Sequence, residues 1–440
     1  MGLPYLNLFD ACAILIKNAH KENIMRLTYK HTLLSSYLGY VTQAIVNNLA
    51  PLLFLTFQRE WNVSLADLAL LISLNFIIQI AVDLIASVFA DKVGYRAVAA
   101  GAHVFCVAGL MGMGILPHIF TYPYAGLIVA TCINAVGGGL IEVIISPIVE
   151  SLPGDKKAAS MSLLHSFYCW GHVAVVVLST AYFLLFGVAR WQYLAMAWAL
   201  VPLFNFFLFL KVPLRSLNDH AAAAAPQTGK SNRRTLFLLF FLMMVCAGAA
   251  EQAMSQWASL FAEAGLGVSK MMGDLLGPCL FAILMGLSRL IYGVKGSHLH
   301  LEKALFFSSA LCIASYLLAV FSPVPLLALL GCGLCGLSVG LMWPGTFSIA
   351  SKNFPRGGTA MFALLALAGD VGCSVGPGLV GSVSNAVQKG MHTFIESWLP
   401  WLTATEAGLK TGLFLAIVFP LTMLASASLM WKRVFHKKEG

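Results

Sequence analysis

The chain is 440 residues long, 59% hydrophobic and only 10% charged, with 27 Lys and Arg, 18 Asp and Glu, and a mean hydropathy of +0.84. Soluble domains carry about 25% charged and 45–50% apolar residues, so 18 acids and 27 bases cannot cover a water-exposed surface at this length. This excludes an ordinary soluble enzyme, a disordered chain and a secreted disulfide scaffold; the net charge of +9 leaves nucleic acid open until the bases are placed.

In chain order, residues 1–24 come first. Phe9–Ile16 is a short apolar stretch with no basic residue before it, which makes a poor secretory signal. Met25-Arg-Leu-Thr-Tyr-Lys reads as a start before the first span, so residues 1–24 either precede the physiological initiator, the preferred reading, or form an interfacial arm. A helix needs about 20 apolar residues to cross a bilayer core. That ruler predicts twelve spans, near 32–57, 65–90, 97–117, 122–150, 160–186, 191–210, 235–262, 272–293, 304–322, 325–350, 359–384 and 410–431. Most runs are too long and continuous for barrel strands, which alternate over about 10 residues. The expected fold is all-α, with lipid as its main surroundings.

With both termini placed inside, 22 of the 27 bases fall on the inner side and five, Arg59, Arg190, Lys270, Lys389 and Lys410, on the outer side. This positive-inside bias predicts cytoplasmic N- and C-termini in a cell (plasma or inner) membrane, and it accounts for the basic balance without nucleic acid. Residues 211–234, with five bases and the run Ala221–Ala225, read as a cytoplasmic linker. The expected organisation is an arm over 1–31, six spans over 32–210, the linker, six spans over 235–431 and a tail over 432–440. Trp398 and Trp401, in the longest outer loop, are candidate interfacial anchors.

Nine cysteines lie in or beside apolar runs and read as small hydrophobes. Cys332-Gly-Leu-Cys335 has redox or zinc spacing but no second pair or histidine. Gly331-Cys-Gly333-Leu-Cys-Gly336 matches a dinucleotide pattern, yet it lies inside an apolar helix rather than between a strand and a helix, so close helix packing is expected. No metal-ligand spacing, phosphate loop or nucleophile elbow occurs, and no cofactor or metal is expected.

The two halves echo each other. Span four ends at Ile145-Ser-Pro147 and span five carries Trp170-Gly-His172; span ten ends at Met342-Trp-Pro344 and span eleven carries Ala368-Gly-Asp370. Between spans two and three lies Ser87-Val-Phe-Ala-Asp91-Lys92-Val-Gly94-Tyr-Arg96. This loop resembles the signature loop of the major facilitator superfamily, with Ser87 where the leading glycine usually stands. Gly137-Gly-Gly-Leu-Ile-Glu142-Val-Ile-Ile-Ser-Pro147 and Leu163-Leu-His165-Ser-Phe-Tyr-Cys-Trp-Gly171 are similar to spans four and five of the fucose:proton symporter family. That family's first-span aspartate is not evident; Asn47 and Asn48 occupy the region. The resemblance implies two pseudo-symmetric six-helix bundles, with spans 1, 4, 7 and 10 lining a central cavity. It also implies a cytoplasmic gate at Asp91, Lys92, Gly94 and Arg96, with Arg289 as a counterpart in the second half.

Ionisable residues inside a membrane default to functional hypotheses. Asp83, Glu142, Glu251 and Asp370 sit within apolar runs. Glu142 is the leading candidate for loading and releasing a proton, with Glu251; the alternative is a carboxylate locked to a neighbouring helix. His165 and His172, seven apart on one face, can relay that proton or tie helices together. The amides Gln43, Asn47, Asn48, Asn134, Gln252 and Gln256, with Tyr168, Trp257, Trp343 and Asp370, form the candidate substrate site, since sugar hydroxyls take amide partners and sugar faces stack on indole. Asn75, Gln79 and Asp83 form a stripe on span two that is expected to face span eleven.

These residues point to a non-enzymatic secondary carrier. It would move a small polar solute, sugar among the candidates, by alternating access with a proton or other cation, as a monomer in the bilayer. The alternatives are a proton-coupled drug or metabolite exporter of the same fold and, more remotely, a polytopic membrane enzyme using His165, His172 and Glu142.

Overall fold

A computed structural model describes residues 27–153, 157–215, 231–295, 300–354, 358–391 and 403–436. The expected arm up to residue 26, most of the linker, and Trp398 and Trp401 lie outside the described residues. The protein is helical, with twelve helices long and apolar enough to cross a membrane: α1 Tyr29–Trp61, α2 Leu65–Ala86, α3 Tyr95–Ile119, α4 Pro123–Ser151, α5 Leu163–Phe186, α6 Val188–Lys211, α7 Arg234–Gly265, α8 Lys270–Tyr292, α9 Leu301–Phe321, α10 Pro325–Asn353, α11 Ala363–Gly390 and α12 Ala404–Trp431. Helices answer a demand of lipid: with no water present, each backbone N–H and C=O must be paired within its own segment.

The connections are short and chemically marked. Ser64 caps α2 by accepting from the Asp67 amide at 3.2 Å, while Asp67 bonds back to the Ser64 hydroxyl at 2.6 Å. The helix of α2 runs on to Val93 and stops at Gly94, whose φ of +93° disfavours any residue with a Cβ. Two residues later, Arg96 donates to the carbonyls of Phe209, Leu210 and Val212, each at 2.8 Å. It thereby caps the C-terminal end of α6, where a cation meets the negative pole of the helix. The Ser87, Val88 and Asp91 side chains lie outside the described residues, and Lys92 is exposed.

Helices α1–α6 and α7–α12 form the two six-helix bundles. Small residues let backbones approach. Gly137 of α4 faces Ala102 and Cys106 of α3, while Gly372 and Gly376 of α11 face Val245 and Ala249 of α7. In α10, Gly331, Gly336 and Gly340 sit against α8 and α9, so the dinucleotide-like pattern is helix packing. The described cysteines are free thiols. Pro147 in α4 and Pro344 in α10 mark the repeat.

The bundles meet along α2 and α11 and along α5 and α8. Hydrogen bonds between them gather toward the face opposite the termini: Ser73 and Ser374 exchange hydroxyl-to-carbonyl bonds at 3.2 and 3.4 Å, and Thr180 donates to Asp274 at 3.5 Å. Toward the termini, Leu84 and Ile85 of α2 and Leu364 of α11 are exposed.

Arg96→Gln is expected to free the α6 carbonyls, each bond to a charged donor being worth about 1.5–3 kcal/mol. Thermal unfolding of the purified protein should move several degrees down, with faster amide exchange over 207–215; an unchanged midpoint would show the contacts to be idle.

Candidate functional site

Pro51 breaks α1 into a helix over Tyr29–Asn48, a 3-10 turn over Ala50–Leu53 and a second helix over Phe54–Trp61. Proline has no N–H, so the carbonyl of Asn47, four residues earlier, loses its usual partner. Gln256 of α7 fills that vacancy from the other bundle, donating to Asn47 O at 3.2 Å. Helix α7 is itself interrupted at Gln256 and Trp257. From there a chain of bonds runs along α7 and across to α8. Gln256 donates to Gln252 at 2.9 Å, Gln252 donates to Glu251 at 3.3 Å, and Arg289 pairs with Glu251 at 3.2 Å. The Asn47 side-chain oxygen accepts from both Asn75 and Gln79 at 3.0 Å. The polar stripe of α2 thus faces α1 at those two positions, not α11 as expected, because Asn47 offers the acceptor.

One turn nearer the termini, Gln43 donates to Glu142 at 2.7 Å. Carboxyls of α2, α4 and α11, those of Asp83, Glu142 and Asp370, lie around one interior region. One carboxyl oxygen of Asp83 is buried without a partner. Asp370 is 6% exposed and has no hydrogen bond or ion pair among the described residues. Beside them Tyr40 bonds Ser146 at 3.0 Å and meets the His165 ring edge-on at 5.2 Å. Asn48 donates to Tyr168 at 3.3 Å. Trp343 is half-buried and packs over Gly369, next to Asp370.

The predicted residues therefore fall into groups. Glu142, Gln43 and Asp370 come together, with His165 exposed beside Tyr40. His172 is buried. Gln252, Gln256, Asn47 and Asn48 are committed to bonds within the protein rather than presented to a solute. Trp257 is fully buried; its indole N–H donates to Pro377 O at 3.1 Å and its ring packs on Phe54. It closes the far face and leaves no indole surface for stacking. Asn134 stands apart, 1% exposed, over Gly109 of α3. Arg289, expected with the cytoplasmic gate, instead turns its guanidinium inward to Glu251, since its long stem reaches a buried acid from a position near the helix end.

Sequence reasoning missed a second charged cluster. Lys270 at the start of α8 pairs with Glu263 at 3.0 Å and Asp274 at 3.1 Å, and donates to the Leu52 carbonyl of α1 at 2.7 Å. Its ammonium also lies 5.3 Å from the Phe183 ring of α5. Asp274 is fully buried and accepts from Ser259 at 2.6 Å. This knot ties the C-terminal bundle to α1 and α5 and seals the far face. The i, i+4 spacing of Lys270 and Asp274 was the available signal; assigning Lys270 to an outer loop hid it.

The sequence profile of the Major Facilitator Superfamily matches residues 36–377. No curated protein matches the chain. Among solved structures, a bacterial homologue of the human lysosomal transporter Spinster, inward-facing and occupied, superposes with a TM-score of 0.71 at 14% identity, covering 92% of this chain and 97% of that one. The nucleoside transporter NupG gives 0.66 at 14% identity over 90% and 98%. The E. coli fucose:proton symporter FucP gives 0.59 at 17% identity over 92% and 99%.

Removing one partner of a buried ion pair costs about 3–5 kcal/mol. Lys270→Met is therefore expected to loosen the far face, raising hydrogen–deuterium exchange over residues 50–61 and 259–275 while leaving 325–353 unchanged. Equal exchange in both regions would remove the seal from Lys270.

Proposed function

The chain belongs to the major facilitator superfamily, and on that premise we propose that it is a proton-coupled secondary carrier of a small polar solute. It works by alternating access, and Glu142 is the central coupling group. One observation carries this reading: three carboxyls, half-buried Asp83 and Glu142 and buried Asp370, are gathered in one interior region with no cation paired to any of them among the described residues, while Arg289 is taken by Glu251. Charges so placed repel one another and cannot all stay ionised in a low dielectric. A proton shared among them neutralises the cluster in one conformation, and opening to water lets it leave in the other. Glu142 touches both bundles' chemistry: it is held by Gln43 of α1 and faces Asp370 of α11.

The solute would approach between the bundles from the termini side, past His165, and meet Tyr168, Trp343 and Asp370. The family resemblance and the sugar-bearing solutes named for FucP and NupG support a polar, hydroxylated solute. The commitment of Gln252, Gln256 and Trp257 to the protein's own bonds removes three residues of the expected sugar platform, which keeps a drug or metabolite exporter as the second reading. The expected N-in, C-in orientation, the cell membrane, the monomeric state and the division into arm, two bundles, linker and tail complete the proposal, with the signature loop at Lys92, Gly94 and Arg96 on the cytoplasmic side. Such a carrier has no catalytic residue and no cofactor.

A thermal-shift screen of sugars, nucleosides and drugs identifies a ligand for proteoliposome assays. Glu142→Gln is expected to abolish accumulation driven by a pH gradient while sparing counterflow exchange. Undiminished uphill uptake would overturn the role of Glu142, and conversion of the ligand without vectorial movement would overturn the carrier.

A further inference from the structure

Helix α9 carries none of the coupling groups, yet one of its side chains reaches into a helix that does. Tyr316 is fully buried, and its hydroxyl donates to the Ala250 carbonyl of α7 at 2.8 Å. The same oxygen has a hydrogen bond with the Met254 backbone. In an unbroken α-helix these two backbone groups, four residues apart, pair with each other. The Tyr316 hydroxyl therefore meets both ends of one rung of α7.

Its surroundings direct it there. Cys312 of α9 and Cys332 and Cys335 of α10 stand around Tyr316, with the sulfurs of Cys312 and Cys335 3.9 Å apart. Thiols are weak donors and weak acceptors, and a buried phenol needs a full partner. The Cys332-Gly-Leu-Cys335 pair is thus a soft wall behind the ring, and the α7 backbone takes the polar end.

The position of that rung gives it consequence. Glu251, the residue after Ala250, holds Arg289 at 3.2 Å. Two residues beyond Met254, α7 is interrupted at Gln256 and Trp257. A side chain inserted into the ladder is one of the few causes of such a kink. Past the interruption α7 turns to the far-face seal: Gln256 to Asn47 O at 3.2 Å, Trp257 to Pro377 O at 3.1 Å, Ser259 to Asp274 at 2.6 Å and Glu263 to Lys270 at 3.0 Å. One half of α7 holds a paired acid, the other half closes the far face, and the rung that Tyr316 enters lies at their joint. We propose that Tyr316 is a positioning residue for transport: its hydroxyl, wedged into the Ala250–Met254 rung, sets the bend of α7 and so seats Gln256 on α1 and Trp257 on α11. The effect on transport rests on the carrier reading; the effect on α7 and α1 is read without a solute.

The test compares the purified full chain with Tyr316→Phe. This variant keeps the ring and lets Ala250 O and Met254 N–H pair with each other, so no polar group is orphaned and it should fold. Hydrogen–deuterium exchange is expected to rise about fivefold over residues 47–57 and 252–262, the weight of one neutral hydrogen bond, with 97–117 unchanged. Residues 47–57 belong to the other bundle, so a purely local packing role cannot reach them; it would raise exchange over 301–353 instead. Gln256→Leu should raise exchange over 47–57 by the same route, and the double variant should add nothing further, because both cut one chain of contacts. In proteoliposomes Tyr316→Phe is expected to lower kcat about fivefold at unchanged KM, since it alters the reseating step and not the solute's contacts. Unchanged exchange over 47–57, a rise confined to 301–353, additive effects in the double variant, or a change in KM alone overturns the positioning role. The expected exchange pattern in a chain that moves no solute upholds the wedge and overturns the carrier.

Discussion

One missing hydrogen organises the interior of this protein. Because Pro51 has no N–H, α1 cannot run unbroken through the bilayer, and the Asn47 carbonyl must find a donor where no water competes. Gln256 supplies it from the opposite bundle. From that bond the network extends through Gln252, Glu251 and Arg289 on one side and through Asn75 and Gln79 on the other. A defect in one helix thus connects the two bundles.

The charge inventory explains why the interior needs an exchangeable occupant. Among the described residues, Glu251 alone of the acids in the middle of the bundle has a cation, Arg289. Glu142 has an amide, one Asp83 oxygen is buried without a partner, and Asp370 has no hydrogen bond or ion pair among the described residues. At the far face the balance differs: Lys270 stands between Glu263 and Asp274 and also takes a carbonyl. One cluster has a cation in contact with both of its acids and suits a seal. The other is not, and suits a group that changes protonation as its surroundings change.

The fold was legible because lipid imposes simple rules. Runs of about 20 apolar residues, the lopsided bases and the paired Pro147 and Pro344 specify twelve helices in two repeats. The existence of special residues was legible too, since Glu142 and Asp370 are conspicuous inside apolar runs. Their partners were not. Spacing shows that Asn75 and Gln79 share a face but not that the face meets Asn47, which depends on how α1 and α2 are rotated against each other. Trp257 read as an exposed indole beside amides, yet Pro377 and Phe54 enclose it. Arg289 and Lys270 read as loop charges because both lie near helix ends; long stems carry their cationic heads to buried acids. Tertiary pairing decides these roles, and a single sequence carries little of it.

The energetics of the seal bear on how such a machine can turn. Its bonds between bundles include the Ser73 and Ser374 pair, Gln256 to Asn47, Thr180 to Asp274 and Lys270 to Leu52. At about 0.5–1.5 kcal/mol for each neutral bond and 1.5–3 for each charged one, the set is worth several kcal/mol in total. One charge crossing 100 mV contributes about 2.3 kcal/mol. On the proposed coupling, a driving ion alone therefore cannot break the seal. Opening requires that the freed groups meet water and that equivalent contacts form at the other end of the bundles, where α2 and α11 present Leu84, Ile85 and Leu364 uncovered. Alternating access in this architecture is an exchange between two nearly balanced interfaces. On the proposed proton coupling, neutralising a single carboxyl near Glu142 need only tip that balance, which gives it leverage over the whole molecule.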